Sequence, residues 1–215
     1  GSQGGSGYWG DSGNCWGDTG NYFDDGYNTA GGYVNPISSQ QIINQIIWES
    51  IQSTFMNQAS VLYGTDLSKI NFKASTERAS NAWIGENGEV FLGNSFFNLS
   101  YDKQLRVLFH EYFHIEEDKP YSKDPKNIQT TLPEPPSDIK NYIMNVICEG
   151  DEFSYQQIMT HNTLRDPQYY INEINAYTKE KDMFANISSE EIAELNYRIW
   201  YYTELRKLAD QYYSQ

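Results

Sequence analysis

The chain has 215 residues, with 15 Lys and Arg against 29 Asp and Glu, and a formal net charge of −14. This length favours a single folded domain with a core of its own. The acidic balance argues against nucleic acid and anionic membranes as partners. No apolar run approaches the roughly 18–20 residues that a membrane helix needs, so we predict no membrane span.

Residues 1–35 are rich in Gly, Ser, Asn, Asp and aromatic residues and show neither helical nor strand periodicity. This composition predicts a flexible leader or linker, followed by a folded domain over 36–215. The alternative is an aromatic segment that binds a partner or a polysaccharide. Cys15 and Cys148 have no Cys-x-x-Cys neighbour, which argues against a thiolate zinc site. A buried thiol at Cys148 is favoured over a disulfide between the two.

The first half of the predicted domain contains a helix and a hairpin. Apolar residues at 3.6-residue spacing predict a helix from Ser38 or Ser39 to about Gly64. Alternation over 70–73 predicts a short strand, and the segments 82–84 and 89–92 predict a β-hairpin closed by an Asn-Gly turn. The expected buried face of the helix consists of Ile42, Ile43, Ile46, Ile47, Ile51, Phe55 and Met56.

The second half is predicted to be helical apart from one loop. A helix capped by Ser100 is expected over 101–117. The segment 118–137 contains five prolines and is predicted to be an irregular loop at the rim of a cleft. Further helices are expected over about 138–160 and 167–184, and a last one begins at the capping box Ser188-x-x-Glu191.

Residues 110–114 read His-Glu-Tyr-Phe-His and contain two of the three histidines in the chain. Positions i and i+4 of a helix lie one turn apart on the same face, so His110 and His114 can offer two imidazole nitrogens to one metal ion. Glu111 lies about 100° further round the helix, within reach of a water on that metal. In a chain so poor in histidine, this spacing indicates a metal site rather than a chance pair.

The motif resembles that of the zincin metallopeptidases, which implies a catalytic Zn²⁺ bound by His110 and His114, with Glu111 as general base. The implied fold is an α+β, mostly helical, zincin-like domain with a small sheet or hairpin before the motif helix. A metzincin continues with Gly at position 117 and His at position 120, but this chain has Glu117 and Pro120. The resemblance is therefore to the gluzincins, whose third ligand is a glutamate on a later helix.

The favoured third ligand is Glu173. The pair Asn172-Glu173, with Ala176 three residues after the glutamate, resembles the ligand segment of the gluzincins. Tyr177 stands where that segment has an aspartate that orients a ligand histidine.

Two other residues compete for the position of third ligand. Glu149 is the first alternative, because Glu149-Gly150-Asp151-Glu152 resembles a glutamate segment of other gluzincins. Three acids so close together are also typical of a solvated helix face. His161 is the second alternative, although an isolated histidine at a helix end is more often simply exposed.

The resemblance covers about residues 80–185 and implies a zinc peptidase acting on a peptide or protein substrate. By analogy with small peptidase domains that follow Gly-rich linkers in larger proteins, the expected location is secreted or in the cell envelope. The alternatives are a non-catalytic zinc-binding or interaction domain, and a toxin or effector peptidase module. One tyrosine is expected to donate a hydrogen bond to the oxyanion, and the sequence does not select among Tyr112, Tyr121, Tyr169, Tyr170 and Tyr177.

Overall fold

The computed structural model describes residues 38–78, 80–85, 87–122, 124–184 and 187–214. The predicted leader and Cys15 lie outside these residues, so the leader stays a prediction. The predicted burial of Cys148 is confirmed. Helices dominate and the strands are short, which confirms the α+β class. The elements are α1 (Ser39–Tyr63), β1 (Phe72–Ala74), β2 (Ala82–Ile84), β3 (Val90–Leu92), α2 (Tyr101–Glu117), β4 (Lys126–Thr131), α3 (Ser137–Tyr142), α4 (Glu152–Met159), β5 (Thr160–Leu164), α5 (Pro167–Met183) and α6 (Ser189–Tyr213).

The first sheet has the strand order β1-β3-β2. Strand β3 pairs with β2 in antiparallel register, which confirms the predicted hairpin, and it pairs with β1 in parallel register. Gly88 in the hairpin turn has φ +79°, a left-handed conformation that glycine adopts without steric cost. Helix α1 packs against β1 and helix α2 packs against β2, so the motif helix rests on the sheet.

Helix α1 has the predicted bounds, but the predicted buried face is wrong for its four N-terminal isoleucines. The exposed fractions of Ile42, Ile43, Ile46 and Ile47 are 39–61%. Burial of Phe55 is confirmed, and Ile51 and Met56 are partly buried. The other residues of the face that packs inward are Asn44, Trp48 and Ala59. Burial of the large rings of Trp48 and Phe55 removes more apolar area from water than burial of isoleucines, and these rings share one side of the helix.

The segment 118–137 was expected to lack regular structure, and this prediction is wrong for its middle part. Strand β4 occupies the proline-free stretch Lys126–Thr131, between Pro125 and Pro133. It pairs with β5 in an antiparallel two-stranded sheet with an irregular register. Because paired residues of β4 and β5 are about 30–40 positions apart in the chain, neither strand was recognisable from local pattern alone.

The single helix predicted over 138–160 is divided in the structure. Helix α3 continues as a π-helical turn over Ile143–Ile147, and α4 begins only at Glu152. Between them Glu149 and Gly150 have φ values of +50° and +85°, which no α-helix accommodates. Asp151 then starts α4 by accepting a hydrogen bond from the backbone N–H of Ser154 at 2.8 Å.

Two hydrophobic cores stabilise the described chain, and α5 contributes to both. Ala176 and Phe184 belong to the first core, whereas Tyr170 and Tyr177 belong to the second. We call the first the phenylalanine core, and its buried rings are Trp48, Phe55, Phe72, Phe96, Phe109, Phe113 and Phe184. We call the second the tyrosine core, and its buried rings are Tyr155, Tyr170, Tyr177, Tyr197, Tyr201 and Tyr202.

No helix in the described part of the chain is both long and apolar enough to cross a membrane.

Candidate metal centre

The two motif histidines lie in the second half of α2. Ser100 caps this helix by accepting a hydrogen bond from the backbone N–H of Lys103 at 3.4 Å. Leu108 and Phe109 are fully buried in the phenylalanine core and fix the rotation of α2 about its axis. His110 and His114 thereby face α5, one helical turn apart.

Helix α5 brings Glu173 to the histidines. Asp166 caps it with a 2.8 Å hydrogen bond from the backbone N–H of Gln168, and proline occupies the first turn. Asn172 is buried and makes two hydrogen bonds to the backbone of Lys119, at 3.3 Å to its N–H and at 2.9 Å to its carbonyl. This clamp ties the segment that follows α2 to the turn of α5 that carries Glu173.

Three side chains converge on one point between α2 and α5. The Nε2 atoms of His110 and His114 are 3.0 Å apart, and each lies 3.7 Å from an oxygen of Glu173. A tetrahedral zinc ion with bonds of about 2.0–2.2 Å separates its ligand atoms by roughly 3.3–3.6 Å. The two nitrogens are closer together than this range and each nitrogen–oxygen distance is slightly longer, so shifts of a few tenths of an ångström would bring the three side chains to zinc-ligand separations. Two imidazoles with one carboxylate are a donor set that zinc accepts.

The opposite nitrogen of each histidine faces a different carboxylate. His114 Nδ1 lies 3.0 Å from Asp118 Oδ1 and 3.1 Å from Oδ2. His110 Nδ1 lies 3.4 Å from Glu180 Oε2, which is long for a hydrogen bond but within ion-pair distance. A carboxylate beside Nδ1 favours the tautomer with hydrogen on Nδ1, which leaves the Nε2 lone pair for a metal.

Charges of opposite sign stabilise one another in this buried cluster. Burial lowers the pKa of His110, but the carboxylates of Glu173 and Glu180 outweigh burial and raise the pKa to about 10. Burial also opposes the charged form of His114, yet Glu173 and Asp118 raise its pKa above the ordinary value. The pKa of Glu173 is lowered despite burial, because both histidines are close. A divalent cation bound here displaces the histidine protons, so we expect cation affinity to fall as the pH falls.

Glu111, the predicted general base, follows His110 on α2 and is 8% exposed. The ligand side chains are 7–13% exposed, so the whole group is shielded from bulk water. Shielding of this kind strengthens electrostatic interactions within the site. It also leaves only a narrow part of each ligand side chain accessible to a substrate.

The five candidate tyrosines differ in their position relative to the cluster. Tyr169 donates a hydrogen bond that helps to lower the pKa of Glu173, and Tyr121 packs its ring against Tyr169. The ring of Tyr177 lies 4.2 Å from the ring of His110, in the place where an aspartate was expected. Tyr170 is buried and accepts a hydrogen bond from the backbone of Arg165, and Tyr112 packs against Phe109 and Phe113.

Neither alternative third ligand belongs to the cluster. Among the described residues, only His110, His114 and Glu173 form a group of histidine, cysteine and acidic side chains able to bind a metal ion. Glu149 is exposed in the turn before α4. His161 lies on β5, where its Nε2 atom is buried without a hydrogen-bond partner and burial lowers its pKa to about 4.

The sequence did not single out the two carboxylates that face Nδ1 atoms. Their spacing carried a signal: Asp118 is four residues after His114, and Glu180 is seven residues after Glu173. Both spacings place the side chains on one helical face.

Comparisons with protein-family models, with curated proteins and with solved structures found no match to this chain.

Proposed function

We propose that this protein is a zinc-dependent metallopeptidase. The observation that carries the proposal is the convergence of His110, His114 and Glu173 on one point, with Glu111 next to the first histidine on the same helix. Zinc in such a site polarises a carbonyl group and makes a water molecule nucleophilic near neutral pH. The chain's own residues supply the ligands, the proton transfer and a water-poor environment.

In this proposal Glu111 is the general base and acid. It accepts a proton from the attacking water and later delivers it to the nitrogen of the leaving amine, so the proton is conserved over the cleavage. Tyr169 is the candidate tyrosine that we favour for contact with the reacting carbonyl oxygen, because its hydroxyl group lies at Glu173. That hydroxyl has one proton, so it must give up its hydrogen bond to Glu173 in order to donate to the carbonyl oxygen. Asp118 keeps the ligand His114 oriented through its contact with Nδ1.

The test is cleavage of a diverse peptide library by zinc-loaded protein, analysed by mass spectrometry. Glu111→Gln should lower the rate of cleavage by about 100-fold or more while the zinc content stays unchanged. Glu116→Gln is the matched control, because it makes the same charge change at an exposed position of α2. Cleavage that persists in Glu111→Gln would show that the proposed mechanism is wrong.

A second candidate function is a non-catalytic zinc-binding domain. The low exposure of the ligands and their position between α2 and α5 favour it, since a metal there would join the two cores. Wild-type protein that holds one zinc ion per chain but cleaves no member of the library would support this candidate. The same protein with cleavage that depends on Glu111 would exclude it.

A further inference from the structure

A buried charge network lies behind the ligand His110. Arg106 and Glu180 are 5% and 4% exposed, and Arg106 Nε donates to Glu180 Oε1 at 2.7 Å. Burial of an ion pair removes two charges from water, and this penalty can exceed the attraction between the charges. Two apolar side chains would pack at least as well at these positions, so stability alone does not explain the buried pair of Arg106 and Glu180.

The two oxygens of Glu180 have different neighbours. Oε1 accepts from Arg106, and Oε2 lies 3.4 Å from His110 Nδ1. Arg106 is one helical turn before His110 on α2, and Glu180 is two turns after Glu173 on α5. The helices that carry the ligands thus also carry the residues that support one of them.

Arg106 is itself fixed from a third helix. The Nη1 atom of Arg106 donates a hydrogen bond to Glu191 Oε1 at 2.9 Å. The other oxygen of Glu191 accepts from the backbone N–H and the hydroxyl of Ser188, both at 2.8 Å, in the capping box that begins α6. Arg106 is thus held between Glu180 and Glu191, and the oxygen of Glu180 that Arg106 does not contact faces the imidazole of His110.

We propose that Glu180 is the positioning residue of His110, and that Arg106 holds Glu180 in this role. A proton fixed on Nδ1 by the carboxylate leaves the Nε2 lone pair directed at Glu173 and His114. Glu180 thereby does for His110 what Asp118 does for His114, but from another helix and with a side chain that is 6% exposed against 29% for Asp118. The inference rests on the zinc site proposed above.

The experiment measures zinc affinity and the histidine tautomers of the full chain. Competition with a chromophoric chelator gives the dissociation constant for Zn²⁺. Selective ¹⁵N-histidine labelling gives only three imidazoles to assign by long-range ¹H–¹⁵N correlation, and His161→Asn identifies one of them. Glu180→Gln removes the charge while preserving the shape of the side chain. Far-UV circular dichroism and urea midpoints establish that each variant is folded.

Because Glu180→Gln leaves the buried charge of Arg106 without its partner, a second variant protects the test against unfolding. Arg106→Met combined with Glu180→Leu removes both charges and the acceptor together. Glu190→Gln is the control, since it makes the same charge change at an exposed position in the first turn of α6, next to Glu191 in the chain. It leaves the contacts of Arg106 with Glu180 and Glu191 in place.

We expect zinc affinity to fall about 10- to 100-fold in Glu180→Gln and in the double variant, as for other residues that orient metal ligands. In the zinc-saturated double variant the ¹⁵N shifts of His110 should move from those of a ring protonated on Nδ1 towards a mixture of the two tautomers, while Glu190→Gln keeps the wild-type affinity and shifts. Folded variants with wild-type affinity and unchanged His110 shifts would overturn this inference alone. Wild-type protein that binds no zinc would overturn the proposed function and this inference together.

Discussion

The phenylalanine core and the tyrosine core place different chemistry on the two sides of the candidate metal centre. The buried rings of the phenylalanine core, on which α2 rests, are phenylalanines and one tryptophan, and the tyrosines that pack against this core are only partly buried. The tyrosine core buries six phenol rings, and their hydroxyl groups need hydrogen-bond partners. The histidines thus come from a helix held by apolar packing, and Glu173 comes from a helix that faces phenols. The candidate metal centre therefore lies between the two cores, beside a helix, α5, that contributes residues to both.

The largest effect on stability is expected in the phenylalanine core. Phe109 is fully buried and packs its ring against Tyr63 and Phe184. Phe109→Ala should lower the free energy of unfolding by about 3–5 kcal/mol, because it leaves a cavity beneath the motif helix. Urea denaturation measures this change. A loss below about 1 kcal/mol would mean that α2 is not held by this core.

The second prediction concerns the pH dependence of the tyrosine-core side. The pKa of His161 is about 4 in the folded protein against an ordinary 6.5. Below pH 6.5 His161 binds a proton in the unfolded chain but stays neutral in the folded chain until about pH 4. The free energy of unfolding therefore falls as the pH drops from 6.5 to 4. The loss approaches roughly 3 kcal/mol. His161→Asn should remove this component, measured as the difference between the two urea-stability profiles. Parallel profiles would contradict it.

A smaller effect is expected from one hydroxyl of the tyrosine core. Tyr170 accepts a hydrogen bond from the backbone N–H of Arg165 at 2.9 Å. Tyr170→Phe should lower the free energy of unfolding by about 1–3 kcal/mol, because that N–H loses its partner. Tyr63→Phe is the control beside the phenylalanine core, where the hydroxyl makes no hydrogen bond within the described part of the chain. Equal thermal midpoints of the two variants would contradict the proposed difference between the tyrosine core and the phenylalanine core.

The smallest effect is expected on the outer face of α1. Ile43 and Ile46 are 49% and 61% exposed, so they bury little area against either core. Ile43→Gln should change the free energy of unfolding by no more than about 0.5 kcal/mol, in contrast to Phe109→Ala. Thermal denaturation followed by circular dichroism is sufficient to measure it. A loss above about 2 kcal/mol would mean that this face is buried in solution.

The local part of this fold was predictable from the sequence. The bounds of α2 agree with the prediction over 101–117, and the capping box of α6 is present, because both depend on residues within one helical turn. Strands β4 and β5 were missed, since their pairing joins distant segments. The inward face of α1 was misjudged because the sequence shows which residues are apolar, not which of two apolar faces has a neighbour.

The site shows the same limit. His110, Glu111 and His114 follow from spacing on one helix. Glu173 was one of three alternatives, and it required the tertiary packing of α5 against α2 to bring it to the histidines. Glu180 was not selected from the sequence, because its relevance depends on Arg106 and His110, which belong to another helix.

The central claim is that His110, His114 and Glu173 bind one zinc ion. The most direct test is metal analysis of purified protein after equilibration with zinc and gel filtration, with the wild type beside Glu173→Ala and Glu149→Ala. We expect one zinc ion per chain in the wild type and in Glu149→Ala, and loss of zinc in Glu173→Ala. Zinc retained in Glu173→Ala, or lost in Glu149→Ala, would contradict it.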